Sequence, residues 1–112
     1  MLPKINRIKK KKDFELIFKK GASFKSPSFI LKVLKTSLEY SRFGFVVSQK
    51  VSKKAVERNK IRRRLSEIVK KQKIKPGLDL VFISLASAKN KDFLNFKKET
   101  EDILIKAKAI NV

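Results

Sequence analysis

The chain lacks two residue types on which much enzyme chemistry depends, because it contains no cysteine and no histidine. The absence of cysteine excludes disulfides, a thiolate nucleophile and cysteine-ligated zinc or iron–sulfur sites. The absence of histidine removes the commonest general base and the commonest zinc ligand. A protein-borne active site would therefore depend on carboxylates, hydroxyls or lysine.

Acidic residues and long apolar runs are also scarce. The 112 residues include 10 Asp and Glu against 30 Lys and Arg, which gives a formal net charge of +20. The longest uncharged stretch, 80–88, is far shorter than the ~20 residues that a membrane helix needs, and the lysine-rich N-terminus is not followed by the apolar core of a signal peptide. We therefore expect a cytoplasmic protein that does not associate with a membrane.

The chain does contain many apolar residues alongside its positive charge. Hydrophobic residues make up 42% of the sequence and include 9 Phe, which is enough for a folded core. The length predicts a single domain over 1–112. A folded domain that keeps so much charge of one sign usually binds a polyanion. Nucleic acid is favoured over an anionic membrane surface, because there is no Trp and a core needs the apolar residues.

The apolar pattern predicts an α+β domain with a single sheet and helices packed on it. The segments 29–34 and 43–47 alternate as strands, and their short connection predicts an antiparallel hairpin. The segment 78–85 is apolar on both faces, which predicts a central strand. Gly21 takes the C′ position after the first helix, and Asp92 can cap the last one. The predicted order, α-β-β-β-α-β-α, is an arm over 2–12, a helix over 13–20, a loop or short edge strand over 23–27, strands over 29–34 and 43–47, a helix over 53–72, a strand over 78–85 and a helix from Asp92.

Arginine is concentrated in the predicted helix over 53–72. Four of the six arginines lie there, although lysine outnumbers arginine 24 to 6. Arginine favours planar, bidentate contacts with phosphate. Arg58 falls at the edge of the apolar arc, where it either extends to solvent along its stem or is held by neighbours at the rim of a cleft. On the helical wheel the apolar arc is Ile61, Leu65, Ile68 and Val69, and the opposite side carries Asn59, Lys60, Arg63, Arg64, Lys70 and Lys71.

The segment 47–63, VSQKVSKKAVERNKIRR, resembles the signature of the bacterial ribonuclease P protein subunit. The core of that signature is an Arg-Asn-Arg run that follows an Ala three residues earlier. The resemblance extends over nearly the whole chain. The segment 2–9 with Asp13-Phe14 and Phe18–Gly21 is similar to the family's opening, Phe43-Gly44-Phe45 to its strand before the signature, and 79–83 to its last strand.

The resemblance implies a fold in which the crossover between parallel strands is left-handed, against the usual right-handed preference. It also implies a subunit of an endoribonuclease whose catalyst is the RNA partner, while the protein binds precursor tRNA and its 5′ leader. Magnesium held mainly by the RNA would support the cleavage, which agrees with the absence of His and Cys. The implied partners are the catalytic RNA and precursor tRNA, with no protein partner required.

Two sets of site residues follow from the resemblance, with no catalytic residue and no metal ligand among them. Stacking of leader bases on aromatic rings tolerates many sequences. Lys60 stands where the family usually has an Arg, so the charge is kept but the bidentate contact of a guanidinium is lost. Lys32 stands where the family often has a Tyr, so a phosphate contact would replace a stacking surface. Gln49 and Leu85 also depart from the family pattern, at positions of a Lys and an Arg. The predicted contacts with the catalytic RNA are Lys53, Lys54, Arg58, Asn59, Lys60, Arg62 and Arg63, and the predicted leader-binding cleft comprises Phe14, Phe18, Lys32, Ser48 and Lys50.

Several features have a purely structural alternative. The structural alternative for Phe14 and Phe18 is that both are core residues under the first helix. The acidic residues of the last helix, among them Glu99, interleave with lysines and are expected to form solvated pairs. Asp13 is expected to be a helix-start acid. The alternatives for the whole chain are a structural, ribosomal-type RNA-binding protein with no role in cleavage, and a self-sufficient metal-dependent nuclease.

Overall fold

The structure is a computed structural model that describes residues 2–110. Within this range the chain forms one four-stranded sheet and three α-helices, which confirms the predicted α+β order. No helix within the same range is both long enough and apolar enough to cross a bilayer. The elements are α1 (Lys11–Lys20), β1 (Ala22–Lys25), β2 (Phe29–Lys35), β3 (Arg42–Val46), α2 (Ala55–Lys70), β4 (Leu78–Ser84) and α3 (Phe93–Lys106).

The strand order in the sheet is β1-β2-β4-β3, so the predicted hairpin of 29–34 with 43–47 is wrong. β4 lies between these two strands, antiparallel to β2 and parallel to β3. A strand that is apolar on both faces is most stable in the centre of a sheet, and this preference outweighs a short connection. The prediction that 78–85 is central is confirmed. β3, α2 and β4 form the parallel crossover that the resemblance implied, and the left hand of this crossover stays a prediction.

The two faces of the sheet are covered differently. The side that we call the two-helix face packs against α2 and α3, and it presents Phe29, Leu31, Leu80 and Phe82, each 0% exposed. The side that we call the one-helix face packs against α1, whose Ile17 meets Val81 in a second, smaller cluster. Successive residues of a strand point to opposite faces of the sheet. In β4, for example, Leu80 and Phe82 belong to the first cluster and Val81 and Ile83 to the second.

The long helices bury the faces that their periodicity predicts. In α2 the apolar arc from Ile61 to Val69 is buried, and in α3 Phe96, Ile103 and Leu104 are buried. Burial of each such side chain contributes about 1.5–3 kcal/mol. The Asp92 carboxylate accepts a hydrogen bond of 2.9 Å from the Asn95 amide, which confirms the predicted N-cap.

Gly21 ends α1 as predicted but not in the conformation that a C′ glycine usually adopts. Its φ of −72° and ψ of 149° are extended, since β1 begins at the next residue. A Cβ at this position would lie 2.5 Å from the Ile17 carbonyl oxygen and 3.2 Å from that of Val33. Glycine is required here by the close approach of two backbones rather than by a left-handed turn.

The N-terminal arm lies along the outer edge of β3. The Ile8 amide donates a hydrogen bond of 2.8 Å to the Phe43 carbonyl, and the Asn6 side chain donates one of 2.8 Å to the Ser41 carbonyl. Leu2 and Ile8 of the arm are themselves buried against the domain. This agrees with the prediction of an arm across the domain surface, although α1 begins at Lys11, two residues before the predicted start.

Candidate nucleic-acid interface

The outward side of α2 carries the predicted basic residues. Asn59, Lys60 and Arg63 are exposed, whereas Arg62 and Arg64 are half-buried. Arg62 donates a hydrogen bond to the side-chain oxygen of Asn59, one turn earlier. This bond orients the guanidinium along the helix surface and leaves its other N–H groups for an external acceptor such as a phosphate.

Further positive charge surrounds the first turn of α2. Lys53 and Lys54 are exposed, and no side chain caps the start of the helix with a hydrogen bond. The N-terminal end of a helix already carries partial positive charge, so cations there repel it. Glu57 lies 3.9 Å from the Lys54 ammonium and offsets part of this repulsion. The remaining field favours an anionic partner that contacts the helix start.

Arg58 is half-buried, and its guanidinium is held by the backbone. Nη1 donates a hydrogen bond of 3.0 Å to the Ser52 carbonyl, in the segment between β3 and α2. Of the two alternatives for this residue, the structure therefore shows a guanidinium fixed by its neighbours rather than one that extends freely to solvent. Arg58 thereby ties the start of α2 to the segment that precedes it.

The two predicted aromatic residues of α1 lie side by side on the one-helix face. Their ring centroids are 6.3 Å apart with an interplanar angle of 41°. Phe14 is half-buried and packs against β3, whereas Phe18 is 42% exposed. The core alternative therefore describes Phe14, while the Phe18 ring keeps an accessible surface.

The other predicted cleft residues lie on the same face or at its end. Lys32 falls between Ile30 and Leu34 on β2, in the half of the alternation that faces α1. Ser48 and Lys50 are exposed just beyond the end of β3. Toward this end the face is only partly covered. The apolar side chains there are half-buried, namely Ile30, Val46 and Ile83.

A cavity of about 450 Å³ at the outer edge of β3 joins the two predicted sets. One wall is the Phe14 ring, and another is formed by Asn59, Arg62 and Arg63 of α2. Arg7 of the arm also lines this cavity, and its Nε is buried without a hydrogen-bond partner. The sequence gives no specific signal for Arg7, since it lies among lysines in an arm that resembles the family only in general.

A larger groove of about 1030 Å³ lies elsewhere, where β1 and β2 approach the end of α3. Its walls are mainly apolar, with Phe24, Val33 and Leu78 among them, and lysines also line it. None of the residues predicted to bind RNA lines this groove. The smaller cavity brings together four of the predicted residues, Phe14 with Asn59, Arg62 and Arg63. The other predicted residues do not line it, namely Phe18, Lys32, Ser48, Lys50, Lys53, Lys54, Arg58 and Lys60.

Most carboxylates in the described part of the chain are engaged by cations or by neighbouring donors rather than gathered as metal ligands. Arg42 donates to Asp79 through Nε at 2.9 Å and Nη2 at 2.6 Å, and through Nη1 at 3.3 Å to Asp13. Hydrogen bonding to Asp79 raises the pKa of the Arg42 guanidinium above its ordinary value. Across residues 2–110 no three Asp or Glu side chains come together as a metal site would require.

Glu99 contradicts the expectation of solvated pairs on α3. Its side chain is 11% exposed and pairs with the Lys91 ammonium. Its Oε2 accepts hydrogen bonds of 2.6 Å from the Ser26 hydroxyl and the Ser28 amide. Burial alone would raise the pKa of Glu99, but the bonds from Lys91, Ser26 and Ser28 together lower it below the ordinary value. Glu99 thus connects α3 to the β1–β2 turn by hydrogen bonds. Helical spacing within α3 could not predict these contacts, because they lie outside the helix.

Comparison with known proteins gives a consistent result. The family model for Ribonuclease P matches residues 2–108. The ribonuclease P protein component of Clostridioides difficile is 38% identical over 100 residues, 87% of each chain. That of Synechocystis is 34% identical over 113 residues, 98% of this chain and 91% of the relative.

Solved structures agree with the sequence matches. The RNase P protein of Staphylococcus aureus superimposes with a TM-score of 0.87 at 35% identity, over 95% of this chain and 98% of that one. The RNase P protein of Thermotoga maritima gives a TM-score of 0.82 at 33% identity, over 89% and 96% of the two chains.

Proposed function

The chain belongs to the ribonuclease P protein family, and from this premise we propose how it serves as a subunit of that tRNA-processing endoribonuclease. It binds the catalytic RNA through the basic side of α2 and the 5′ leader of precursor tRNA through the one-helix face. The RNA partner carries out the cleavage. The protein contributes charge, shape and stacking surface to the assembly.

The cavity at the edge of β3 is the observation that carries this proposal. Phe14 and the α2 residues Asn59, Arg62 and Arg63 line the same space. A single RNA strand that runs across the one-helix face can therefore continue around the edge of β3 to the basic side of α2. Stacking holds the bases on one side of that edge, and guanidinium groups hold phosphates on the other.

Magnesium fits this function as an ion held mainly by RNA. The carboxylates of the one-helix face, Asp13 and Asp79, already share Arg42, so neither is a free ligand for a hard cation. Magnesium supplies charge stabilisation and an activated water for phosphodiester cleavage. The excess of lysine and arginine lowers the repulsion between the two RNAs, so the assembly should need less magnesium than the RNA alone.

A reconstitution assay tests the proposal. Precursor tRNA is incubated with the protein, with its cognate catalytic RNA, or with both, over a range of magnesium concentrations. We expect no cleavage by the protein alone and cleavage at lower magnesium when both are present. Cleavage by the protein alone would indicate a metal-dependent nuclease. A protein that binds RNA but changes neither magnesium nor substrate requirement would indicate a ribosomal-type role.

A matched pair of variants tests the assignment of α2. Arg62→Ala removes a guanidinium from the cavity wall, whereas Lys98→Ala removes one charge from the exposed side of α3. We expect Arg62→Ala to weaken assembly with the catalytic RNA about tenfold and Lys98→Ala to weaken it less than twofold. Equal losses would show that the protein binds through diffuse charge and not through α2.

A further inference from the structure

The first turn of α1 contacts the edge strand β3 at two positions, Arg42 and Gly44. Asp13 forms the contact with Arg42. Arg42 and Gly44 alternate on β3 and therefore point to the same side, the one-helix face. Arg42 contacts Asp13, and Gly44 lies under the ring of Phe14, the next residue of α1. The start of α1 is thus held at two adjacent points of one strand.

The Arg42 side chain is held in one orientation by the sheet. Its guanidinium forms a two-bond fork with Asp79, which is its direct partner on β4 and is 3% exposed. The fork fixes the plane of the guanidinium and leaves Nη1 directed at the Asp13 carboxylate, 3.3 Å away. The sheet therefore determines where the first turn of α1 lies.

The Gly44 contact sets the depth of the Phe14 ring. A Cβ on Gly44 would lie 2.6 Å from Cε1 and 2.9 Å from Cζ of that ring. Any other residue would therefore displace the ring toward solvent, away from the strand. Because Phe18 lies one turn later and packs beside Phe14, its ring would move as well.

We propose that Asp13, through Arg42, and Gly44 are positioning residues that set the orientation of the Phe14–Phe18 pair for leader bases. This inference rests on the proposed function, since it takes the one-helix face as the site of the leader. Asp13 touches no base; it acts through the placement of α1. Its loss should reduce affinity for a leader without reducing the affinity for tRNA that lacks one.

The decisive variants leave the buried fork intact. Arg42→Ala would leave Asp79 buried without a partner and could unfold the chain, so it does not discriminate. Asp13→Asn removes the charge that faces Nη1 and keeps the fork. Glu15→Gln is the matched control, because it neutralises a carboxylate two residues further along α1, in an exposed pair with Lys11. Gly44→Ala tests the second contact, and thermal unfolding verifies that each variant is folded.

The holoenzyme reconstituted with each variant is titrated with precursor tRNA and with tRNA that lacks a leader. We expect Asp13→Asn and Gly44→Ala to weaken binding of the leader-bearing substrate about three- to tenfold, a partial loss of stacking, with less than a twofold change for the leaderless one. We expect Glu15→Gln to change neither.

Three results would overturn the inference. If Asp13→Asn behaved like Glu15→Gln while the wild type retained its leader preference, the proposed function would stand and the positioning role would fail. Equal losses on both substrates would show a general structural defect. If wild-type holoenzyme bound both substrates equally, the leader-binding part of the proposed function would fail and the positioning role with it.

Discussion

The two faces of the sheet bury their apolar side chains to different extents. On the two-helix face Phe29, Leu31 and Phe82 are fully buried, with Phe96 of α3 packed edge-on against Phe29 at 5.1 Å between centroids. On the one-helix face Val46 and Ile83 are half-buried, because α1 reaches only part of that side. The first face has a closed centre with an apolar groove where β1 and β2 approach the end of α3, whereas the second keeps accessible apolar surface beside the edge of β3.

This difference separates stability from binding. Apolar burial dominates the free energy of folding, so substitutions under α2 and α3 should unfold the chain. Exposed rings and cations contribute little to folding, so substitutions of exposed residues on the one-helix face and on the outer side of α2 should affect RNA binding rather than stability. Each prediction below compares a residue with a matched control elsewhere in the chain.

The largest expected effect is on the two-helix face. Leu65→Ala removes a fully buried side chain from the inner side of α2 and should lower the free energy of unfolding by about 2–5 kcal/mol. Val56→Ala, at a position of the same helix that is 77% exposed, should cost less than about 0.5 kcal/mol. Denaturant titration measures both. Similar costs for the two variants would contradict the assignment of the inner face.

The Glu99 tie comes next. Glu99→Ala should cost about 1–3 kcal/mol at neutral pH, because it leaves the Ser28 amide and the Lys91 ammonium without their acceptor. Folding lowers the pKa of Glu99, so its stabilisation is full above the unfolded value of about 4.3 and is lost as the pH falls through the folded value.

Unfolding free energies measured from neutral to acid pH test this account. The difference between wild type and Glu99→Ala should shrink below about pH 4. Asp102→Ala, an exposed change on the same helix, should show a small difference at neutral pH. A Glu99→Ala cost that persists unchanged in acid would show that the carboxylate charge contributes nothing.

Phe18 provides the sharpest contrast between the faces. Phe18→Ala should weaken binding of leader-bearing substrate by about 1 kcal/mol, roughly fivefold, because its exposed ring offers a stacking surface. Phe93→Ala removes a ring that is 47% exposed on α3 and should leave that affinity unchanged. Equilibrium binding to the holoenzyme compares them. A Phe18→Ala defect that does not depend on the leader would refute the cleft.

The smallest expected effect concerns single lysines. Lys60→Ala, on the outer side of α2, should weaken RNA binding two- to threefold and reduce the slope of log K against log salt by about one unit. Lys98→Ala on α3 should leave the slope unchanged. Salt titrations of the two variants measure this, and identical slopes would mean that neither face is preferred.

Features governed by local periodicity were predictable. The apolar arc of α2, the Asp92 cap and the two-sided strand β4 all follow from residues within one element. The pairing of β2 with β4 was not predictable in this way. It joins strands that are separated in the chain by β3 and α2, whereas the hairpin rule considers only consecutive strands.

The candidate site shows the same limit. The resemblance marked Phe14, Phe18 and the α2 residues, and the structure shows that Phe14, Asn59, Arg62 and Arg63 share one cavity. The contact between Arg42 and Asp13 spans 29 positions and has no signature in spacing, so the sequence alone indicates only a helix-start acid at Asp13. Such side-chain ties depend on tertiary placement that the sequence pattern does not contain.

Site-specific cross-linking tests the central claim most directly, that RNA lies along the one-helix face and not on α3. Because the chain has no cysteine, Ser48→Cys at the open end of the one-helix face and Lys98→Cys on α3 each carry one photo-reactive probe. In the holoenzyme with precursor tRNA, we predict cross-links to the leader from position 48 and none from position 98. Cross-links from position 98 that equal or exceed those from position 48 would contradict the account.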